Sequence, residues 1–359
     1  MLVTYHILYY NVSMKTDLWN YLKQTKKPIV LYGMGNGADK IIKVLENRGI
    51  EIKGVFASDG FVRSKTFHGF KLISYSEAKE QFGDIIVLLC FGSALEDVID
   101  NIKLISKEQE LYAPDVPVCD GALFDIDYYN NNKNALADVC ERLEDELSKK
   151  TFLNTINYKL SGDLNYLFDC ETAFDEPYNT FFKLTNNETF LDLGAYRGDT
   201  VREFLGRVNN FYNKIIAVEP DFKTYNKLLA ELNGVENLTA VNACVSDTVG
   251  ERLFSADGSR GSKVSGKGKL INSVTVDSLV GENGCTYIKM DIEGEELSAI
   301  KGAENTIKAY KPKMLISCYH KSEDLLEIPK AVLSIRNDYK VYMRHFPSVP
   351  AWDTVFYFV

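Results

Sequence analysis

The sequence has no paired cysteine pattern: Cys90, Cys119, Cys140, Cys170, Cys244, Cys285 and Cys318 are odd in number and scattered, with no C-x-x-C pair. A disulfide framework or a zinc site suits that pattern poorly, and free thiols in cores, in a reducing compartment, suit it better. There is no excess of positive charge either, since 41 Lys and Arg against 50 Asp and Glu leave a net −9. Without a basic footprint, nucleic acid is not an expected partner. No run approaches the ~20 apolar residues that span a bilayer. The stretch Leu2–Val12 carries His6 and has neither the basic start nor the small-residue cleavage site of a signal peptide, so a cytoplasmic address is expected. Proline is scarce, 9 residues beside 24 Gly, and 45% of residues are hydrophobic and 25% charged. That composition excludes a collagenous, disordered or low-complexity chain. At 359 residues the chain exceeds the ~150 typical of one domain, and two domains are expected.

Two strand, glycine-turn, helix units stand out. The first is Pro28-Ile29-Val30-Leu31-Tyr32 followed by Gly33-Met34-Gly35-Asn36-Gly37 and the helical spacing Ile41, Ile42, Val44, Leu45. The second is Phe190-Leu191-Asp192-Leu193-Gly194-Ala195-Tyr196-Arg197-Gly198-Asp199. Each opens a series of apolar strands alternating with helices, the pattern of a parallel sheet covered on both faces. The expected organisation is therefore two Rossmann-like α/β domains, 1–120 and 186–359, joined by a helical connector or cap over 121–185, where Leu136, Val139, Cys140, Leu143 and Leu147 keep helical spacing. The first series predicts strands at 28–32, 52–57, 85–91 and near 116–119. The second predicts strands at 189–194, 214–219, 238–245, 285–291 and 313–318, with helices Phe222–Leu232 and Glu295–Ile307 among them. The closing runs Tyr339–His345 and Thr354–Val359 are separated by Pro347 and Pro350 and fit an antiparallel hairpin at one edge, giving seven strands. Ser255–Gly268, rich in Gly, Ser and Lys, fits either a mobile loop over a site or a solvated hairpin tip.

The turn after Asp192 sits at the carboxyl edge of its sheet, where open α/β folds bind ligands. Gly194 and Gly198 allow close backbone approach. The next strand ends Ala217-Val218-Glu219-Pro220, and Glu219, 21 residues beyond Gly198, is placed to accept hydrogen bonds from ribose hydroxyls. Asp192 inside the turn would repel a pyrophosphate and attract a cationic cofactor, so charge sign favours S-adenosylmethionine over NAD. A third string, Tyr287-Ile288-Lys289-Met290-Asp291-Ile292-Glu293-Gly294-Glu295-Glu296, puts Asp291 and Glu293 on the same edge. Such clustered carboxylates suggest a cation or a proton-transfer task. Glu295 and Glu296 also suit the N-terminus of the following helix.

Residues 189–359 resemble the FkbM family of methyltransferases. The resemblance is carried by Asp192–Asp199, Ala217-Val218-Glu219-Pro220, Ala243-Cys244-Val245-Ser246-Asp247, Val274-Thr275-Val276-Asp277-Ser278-Leu279 and Lys289–Glu296. It implies a seven-stranded class I fold and S-adenosylmethionine as cofactor. Asp192, Gly194 and Ala195 would then line the methionine end, with Tyr196 and Gly198 in the same turn, and Glu219 beside Pro220 would hold the ribose. The stretch from Cys244 to Asp247 would border the adenine, and Asp291 and Glu293 would face the reacting methyl. It further implies O-methyl transfer to a sugar, a glycan precursor or a related natural product. Tyr319-His320-Lys321 follows the next strand, and His320 is the leading candidate for the base that removes the hydroxyl proton. Asp291 or Glu293 is the competing base, alone or through a divalent ion; two carboxylates do not define a metal site. Arg344 and His345 either reach the acceptor or face solvent from an edge strand. Tyr128, Tyr129, Tyr158, Tyr166 and Tyr178 either stack on sugar rings or pack in cores.

In the first unit, Gly33, Gly35 and Gly37 depart from the full dinucleotide fingerprint, with Asp59 lying 22 residues beyond Gly37. They suit a nucleotide or nucleotide-sugar site, with a nucleotide-linked acceptor recruited there, or a degenerate docking platform. Two rival functions remain: an NAD(P)-dependent oxidoreductase built on those glycines, and a non-catalytic nucleotide-sugar-binding scaffold. Homo-oligomer formation is a further possibility.

Overall fold

The computed structural model describes residues 16–58, 66–119, 121–255, 263–264 and 268–359. In the first unit the apolar run Ile29–Tyr32 forms β1, buried at every position, and the glycine turn leads into the helix Asn36–Asn47. Strands β2 (Gly54–Ala57), β3 (Thr66–Phe67), β4 (Phe70–Ser74), β5 (Ile86–Leu89) and β6 (Glu110–Tyr112) complete a sheet in the order β3-β4-β2-β1-β5-β6. Every pairing is parallel except β3–β4 at one edge. The central strands are apolar on both faces because both are covered. Leu31, Val55 and Leu88 pack with Trp19 and Ile41 on one side, and Val30, Phe56 and Val87 with Ile99 and Ile102 on the other.

The strand expected near 116–119 does not form. Pro117 removes a ladder donor within that stretch and Pro114 another just before it, and β4 and β6 flank the three central strands instead. Residues 113–119 carry the chain out of the sheet and into the second unit, where the Cys119 N–H donates to the carbonyl of His320 at 3.1 Å.

The segment between the units is helical, in four pieces: Ile126–Glu141, Glu146–Ser161, Asn165–Phe168 and Glu176–Thr180. Asp125 and Asp145 cap the two long helices, their carboxylates accepting from the N–H groups of Tyr128 and Ser148. It is more than a connector. Leu136, Val139, Phe152 and Ile156 share one core with Leu191, Leu193 and Ile288 of the second sheet, while Tyr158, Leu164 and Leu167 enter the core of the first. Each such side chain withdrawn from water contributes about 1.5–3 kcal/mol, so these helices join the two units through shared cores.

The second unit contains β7 (Thr189–Leu193), β8 (Lys214–Val218), β9 (Leu238–Val241), β10 (Cys244–Val245), β11 (Gly250–Ser255), β12 (Lys263–Val264), β13 (Lys269–Val274), β14 (Tyr287–Met290), β15 (Lys313–Ser317), β16 (Val341–His345) and β17 (Thr354–Phe358). Its main sheet runs β16-β17-β15-β14-β7-β8-β9 and is parallel apart from β17, which is antiparallel to both neighbours. The closing antiparallel pair is as expected, with the last strand inserted inside the sheet and the penultimate one at its edge. The two α/β units together are two Rossmann-like folds, the second with seven strands.

Three local departures have identifiable causes. The run 238–245 splits because the Asn242 side-chain amide donates to the carbonyls of Glu219 and Pro220, at 2.8 and 3.0 Å, and draws the chain away. Beyond it, β10 joins a small sheet ordered β10-β13-β11-β12. The helix expected over 295–307 breaks into Glu296–Lys301 and Glu304–Tyr310 at Gly302, where a Cβ would stand 2.2 Å from the carbonyl oxygen of Ser246. Arg344 and His345 face neither solvent nor an acceptor: both are buried, and Arg344 pairs with Asp145 and Glu176 at 2.7 Å each. The Gly/Ser/Lys-rich stretch is flanked by the antiparallel pair β11 and β13, and residues 256–262 and 265–267 within it lie outside the described residues. None of the seven cysteines forms a disulfide, and all are buried. Among the described residues no helix is long and apolar enough to cross a membrane.

Candidate active site

Strands β7, β8, β14 and β15 end along one sheet edge, and a cavity of about 440 Å³ opens there. Gly194, directly after β7, has φ +80°, and a Cβ on it would stand 2.0 Å from the carbonyl oxygen of Asp291. Only glycine fits where two strand ends approach so closely. The N–H groups of Gly194 and Ala195 both donate to the carbonyl of Val218, which fixes the turn against β8. Tyr196, at φ +45°, projects its half-exposed ring into the lining.

Asp192 belongs to the strand rather than the turn. It has no exposed surface, and its Oδ1 lies 3.4 Å from Lys289 Nζ, which in turn donates to the Gly194 carbonyl at 3.1 Å. Burial raises the Asp192 carboxyl to about 6 against the opposing pull of Lys289. The expectation that Asp192 meets the cofactor directly is corrected: it fixes Lys289 beneath the turn, and Lys289 largely balances its charge.

Glu219 is the carboxylate at the end of β8 that does face the cavity. Its Oε2 accepts from the N–H of Tyr196 at 3.0 Å and its Oε1 from the N–H of Asp221 at 2.8 Å. Each oxygen keeps a second lone pair, so the group can still accept two hydroxyls. Burial raises it to about 7, partly countered by those N–H groups. Pro220, Ala243, Cys244, Val245 and Phe254 form an adjacent, mainly apolar wall. Asp247, Ala195 and Gly198 are not in the lining. Asp247 pairs with Arg252 at 2.6 Å, and Gly198, at φ +81°, begins the helix Asp199–Arg207. The cradle at Gly194 and the open lone pairs of Glu219 fit a nucleoside cofactor.

On the other side of the turn, Asp291 and Glu293 line the cavity and His320 lies behind them. His320 has no exposed surface; its Nε2 is 3.4 Å from Asp291 and 3.8 Å from Glu293, and its Nδ1 is 3.0 Å from Glu296. Burial works against the imidazolium, but Glu296, Asp291 and Glu293 outweigh it and push its pKa up to about 10. His320 is enclosed behind Asp291 and Glu293 and is not in the cavity lining, so the structure does not bring the candidate base to a hydroxyl bound there. Asp291 feels burial too, yet the charges of Lys289 and His320 hold it below its ordinary value, and Tyr319 OH donates to it at 3.0 Å. Glu293 is raised to about 7, chiefly by burial.

Residues not singled out for this place from the sequence complete it. Glu296 suits helix capping in the sequence, but it is fully buried against His320. From the crossing segment, the Cys119 thiol donates to the Glu293 carbonyl at 2.8 Å. The opposite wall is aromatic: Phe174 stacks on Phe346 with centroids 4.8 Å apart, and Tyr178, Tyr319 and Tyr357 join the lining. Of the five tyrosines considered for ring stacking, Tyr178 reaches the cavity, whereas Tyr128, Tyr129, Tyr158 and Tyr166 pack in or against cores. Charge in the lining is one-sided among the described residues: Asp199, Glu203, Glu219, Asp221, Asp291, Glu293, Glu295 and Asp353 against Lys289.

Gly33, Gly35 and Gly37 are not part of this cavity. Packing accounts for two of them: a Cβ on Gly33 would stand 2.5 Å from the Phe91 ring, and one on Gly37 2.3 Å from the Cys90 carbonyl oxygen. Asp59 lies outside the described residues.

Residues 192–340 match the family model described as the methyltransferase FkbM domain. Across nearly its whole length the chain is similar to the crystal structure of methyltransferase FkbM from Methylobacillus flagellatus KT, at 23% identity and TM-score 0.72, covering 95% of this chain and 92% of that one. The fold, first unit and helical segment included, is thus shared with that protein. Similarity to Aeropyrum pernix fibrillarin in complex with natively bound S-adenosyl-L-methionine (13% identity, TM-score 0.31) covers 50% of this chain and 70% of that one. For precorrin-6y C5,15-methyltransferase from Geobacter metallireducens GS-15 (14%, TM-score 0.31) the figures are 49% and 80%. No curated protein matches the chain.

Proposed function

We propose that the chain transfers a methyl group from S-adenosylmethionine to a hydroxyl of an uncharged or cationic polyol, such as a sugar. The observation that carries this reading is the cavity itself: a glycine cradle and a ribose-type carboxylate, Glu219, on one side of Asp291 and Glu293, and an aromatic wall on the other. S-adenosylmethionine, when bound, supplies an electrophilic methyl on a sulfonium centre. Glu219 accepts the ribose hydroxyls, Gly194 lets the backbone approach, and the wall around Cys244 excludes water from the adenine. Negative lining favours a cation and disfavours the pyrophosphate of NAD by sign.

Methyl transfer to a hydroxyl gains from removing its proton as the new bond forms. Glu293, raised to about 7, is matched to that task at neutral pH, and it receives the proton. Asp291 stays ionised and, through Tyr319, orients the acceptor beside it. The same lining argues against a phosphate-bearing acceptor, and so against recruitment of a nucleotide-linked one to this cavity. Phe174, Phe346 and Tyr178 give a sugar ring apolar faces to stack on.

The test is transfer of a labelled methyl group from S-adenosylmethionine to a panel of neutral oligosaccharides, amino sugars and nucleotide sugars. Labelling of neutral or amino sugars with an alkali-stable ether is expected. Labelling confined to nucleotide sugars would remove the charge argument, and labelling at nitrogen would remove the hydroxyl assignment.

A further inference from the structure

We propose that Asp291, Glu296 and His320 form a site for one divalent first-row metal ion in the floor of the cavity. One ligand atom from each lies within 4.8 Å of those of the other two. Ligand atoms held about 2.1 Å from a single ion stand roughly 3–4 Å apart, so small side-chain rotations close the set. His320 Nε2 and Asp291 Oδ1 are already 3.4 Å apart.

The second observation is a set of unmade hydrogen bonds. His320 and Glu296 have no exposed surface. Neither ring nitrogen of His320 meets hydrogen-bond geometry among the described residues, and neither does Glu296 Oε2, although Nδ1 is ion-paired with Glu296 Oε1 at 3.0 Å; Oε1 also accepts from the N–H of Ile292, at 2.9 Å. Buried polar atoms are nearly always bonded; here Nε2 faces Asp291 and Glu293 and Nδ1 faces Glu296, and an ion would take one of the two nitrogens. Charge balance leads to the same place. The carboxylates of Asp291, Glu293 and Glu296 all stand within 3.8 Å of the imidazole, and beyond an imidazolium the neighbouring cation is Lys289, which Asp291 shares with Asp192. Buried charge needs compensation, and a dication supplies it.

The backbone is shaped to bring the ligands together. Glu293 at φ +54° and Gly294 at φ +89° fold the chain back so that Asp291 and Glu296 reach the same histidine. An imidazole with two carboxylates suits Mn2+ or Zn2+ better than the all-oxygen preference of Ca2+. Binding is balanced by release of the imidazolium proton to solvent as the nitrogen lone pair takes the metal. Asp291 lines the cavity, so the ion sits one carboxylate away from it.

Chelator-stripped full-length protein is titrated with Mn2+ alone, the free ion being followed by electron paramagnetic resonance, and with Zn2+ by equilibrium dialysis. One ion per chain is expected, held at least about tenfold more weakly after His320→Ala or Asp291→Asn, with the stoichiometry kept in Glu293→Gln. Asp291→Asn, at a half-exposed position, keeps the test decisive if circular dichroism shows that His320→Ala does not fold. Folded, stripped protein that takes up no ion at millimolar metal, or that binds it equally well as Asp291→Asn, overturns the site. S-adenosylmethionine binding on the same samples separates that outcome from failure of the methyltransferase reading.

Discussion

Gly194→Ala tests whether the turn over β7 is built around a backbone contact. At φ +80° any L-residue carries a conformational cost of about 1–2 kcal/mol. The added Cβ would also stand 2.0 Å from the carbonyl oxygen of Asp291, and the neighbouring atom is backbone, so it cannot rotate away. Overpacking of this kind costs typically 1–3 kcal/mol more, giving about 2–5 kcal/mol in all. Gly49→Ala is the internal control: φ is +68°, but nothing lies within 4 Å of the added Cβ, so only the ~1–2 kcal/mol conformational cost applies. Urea denaturation followed by circular dichroism measures both, and calorimetry measures S-adenosylmethionine affinity. Gly194→Ala should be the less stable variant and should lose at least about tenfold in affinity through displacement of Asp291 and the turn, since 1.4 kcal/mol suffices for tenfold. Equal destabilisation of the two variants, or unchanged affinity in Gly194→Ala, would refute the reasoning.

Other outcomes follow from the same geometry. Glu219, raised to about 7, must be ionised to hold ribose hydroxyls, so affinity for S-adenosylmethionine should fall about tenfold per pH unit below 7 and level off above it; calorimetry from pH 5.5 to 8.5 reads this, and Glu219→Gln should flatten the profile. In the unliganded protein the sign is opposite: a carboxylate whose folded value is raised contributes stability present below its unfolded value and lost as pH rises towards 7, which thermal melts across that range detect. Glu293→Gln should lower the methyl-transfer rate by roughly 10²–10⁴-fold with cofactor affinity kept, whereas an unchanged rate would move the base elsewhere. Arg344→Met should cost about 3 kcal/mol by stranding Asp145 and Glu176, the low end for a broken buried pair because both carboxylates keep some solvent access, and should leave kcat near the parent value.

Much of the fold is legible from local pattern. Runs such as Ile29–Tyr32 and Phe190–Leu193, the second apolar except for Asp192, are buried on both faces and become central parallel strands, and the glycine after each marks its turn. Elements governed by distant partners are less legible. Cys244–Val245 leaves the main sheet because Asn242 finds carbonyls 20 or more residues away, and Glu295–Ile307 breaks because Ser246 approaches Gly302. The helices over 126–161 read as a connector because sequence spacing reveals an apolar face but not the two cores that share it. At the site, Glu219, Asp291 and Glu293 face the cavity from strand ends, where position alone suffices. His320 sits at the same edge but points inward, and only its neighbours Glu296, Asp291 and Glu293 decide its proton. The spacing of Glu296 four residues beyond Ile292, whose N–H it binds, was the one local sign that this glutamate turns inward.

The central claim is that the cavity over β7 and β8 holds S-adenosylmethionine through Glu219. Titration calorimetry of the full-length protein with S-adenosylmethionine and with NAD, on the parent and on Glu219→Ala, tests it most directly. One S-adenosylmethionine bound per chain, at least about tenfold weaker in Glu219→Ala, with no heat from NAD, is the predicted result. Binding of NAD in place of S-adenosylmethionine, or S-adenosylmethionine affinity indifferent to Glu219, would contradict it.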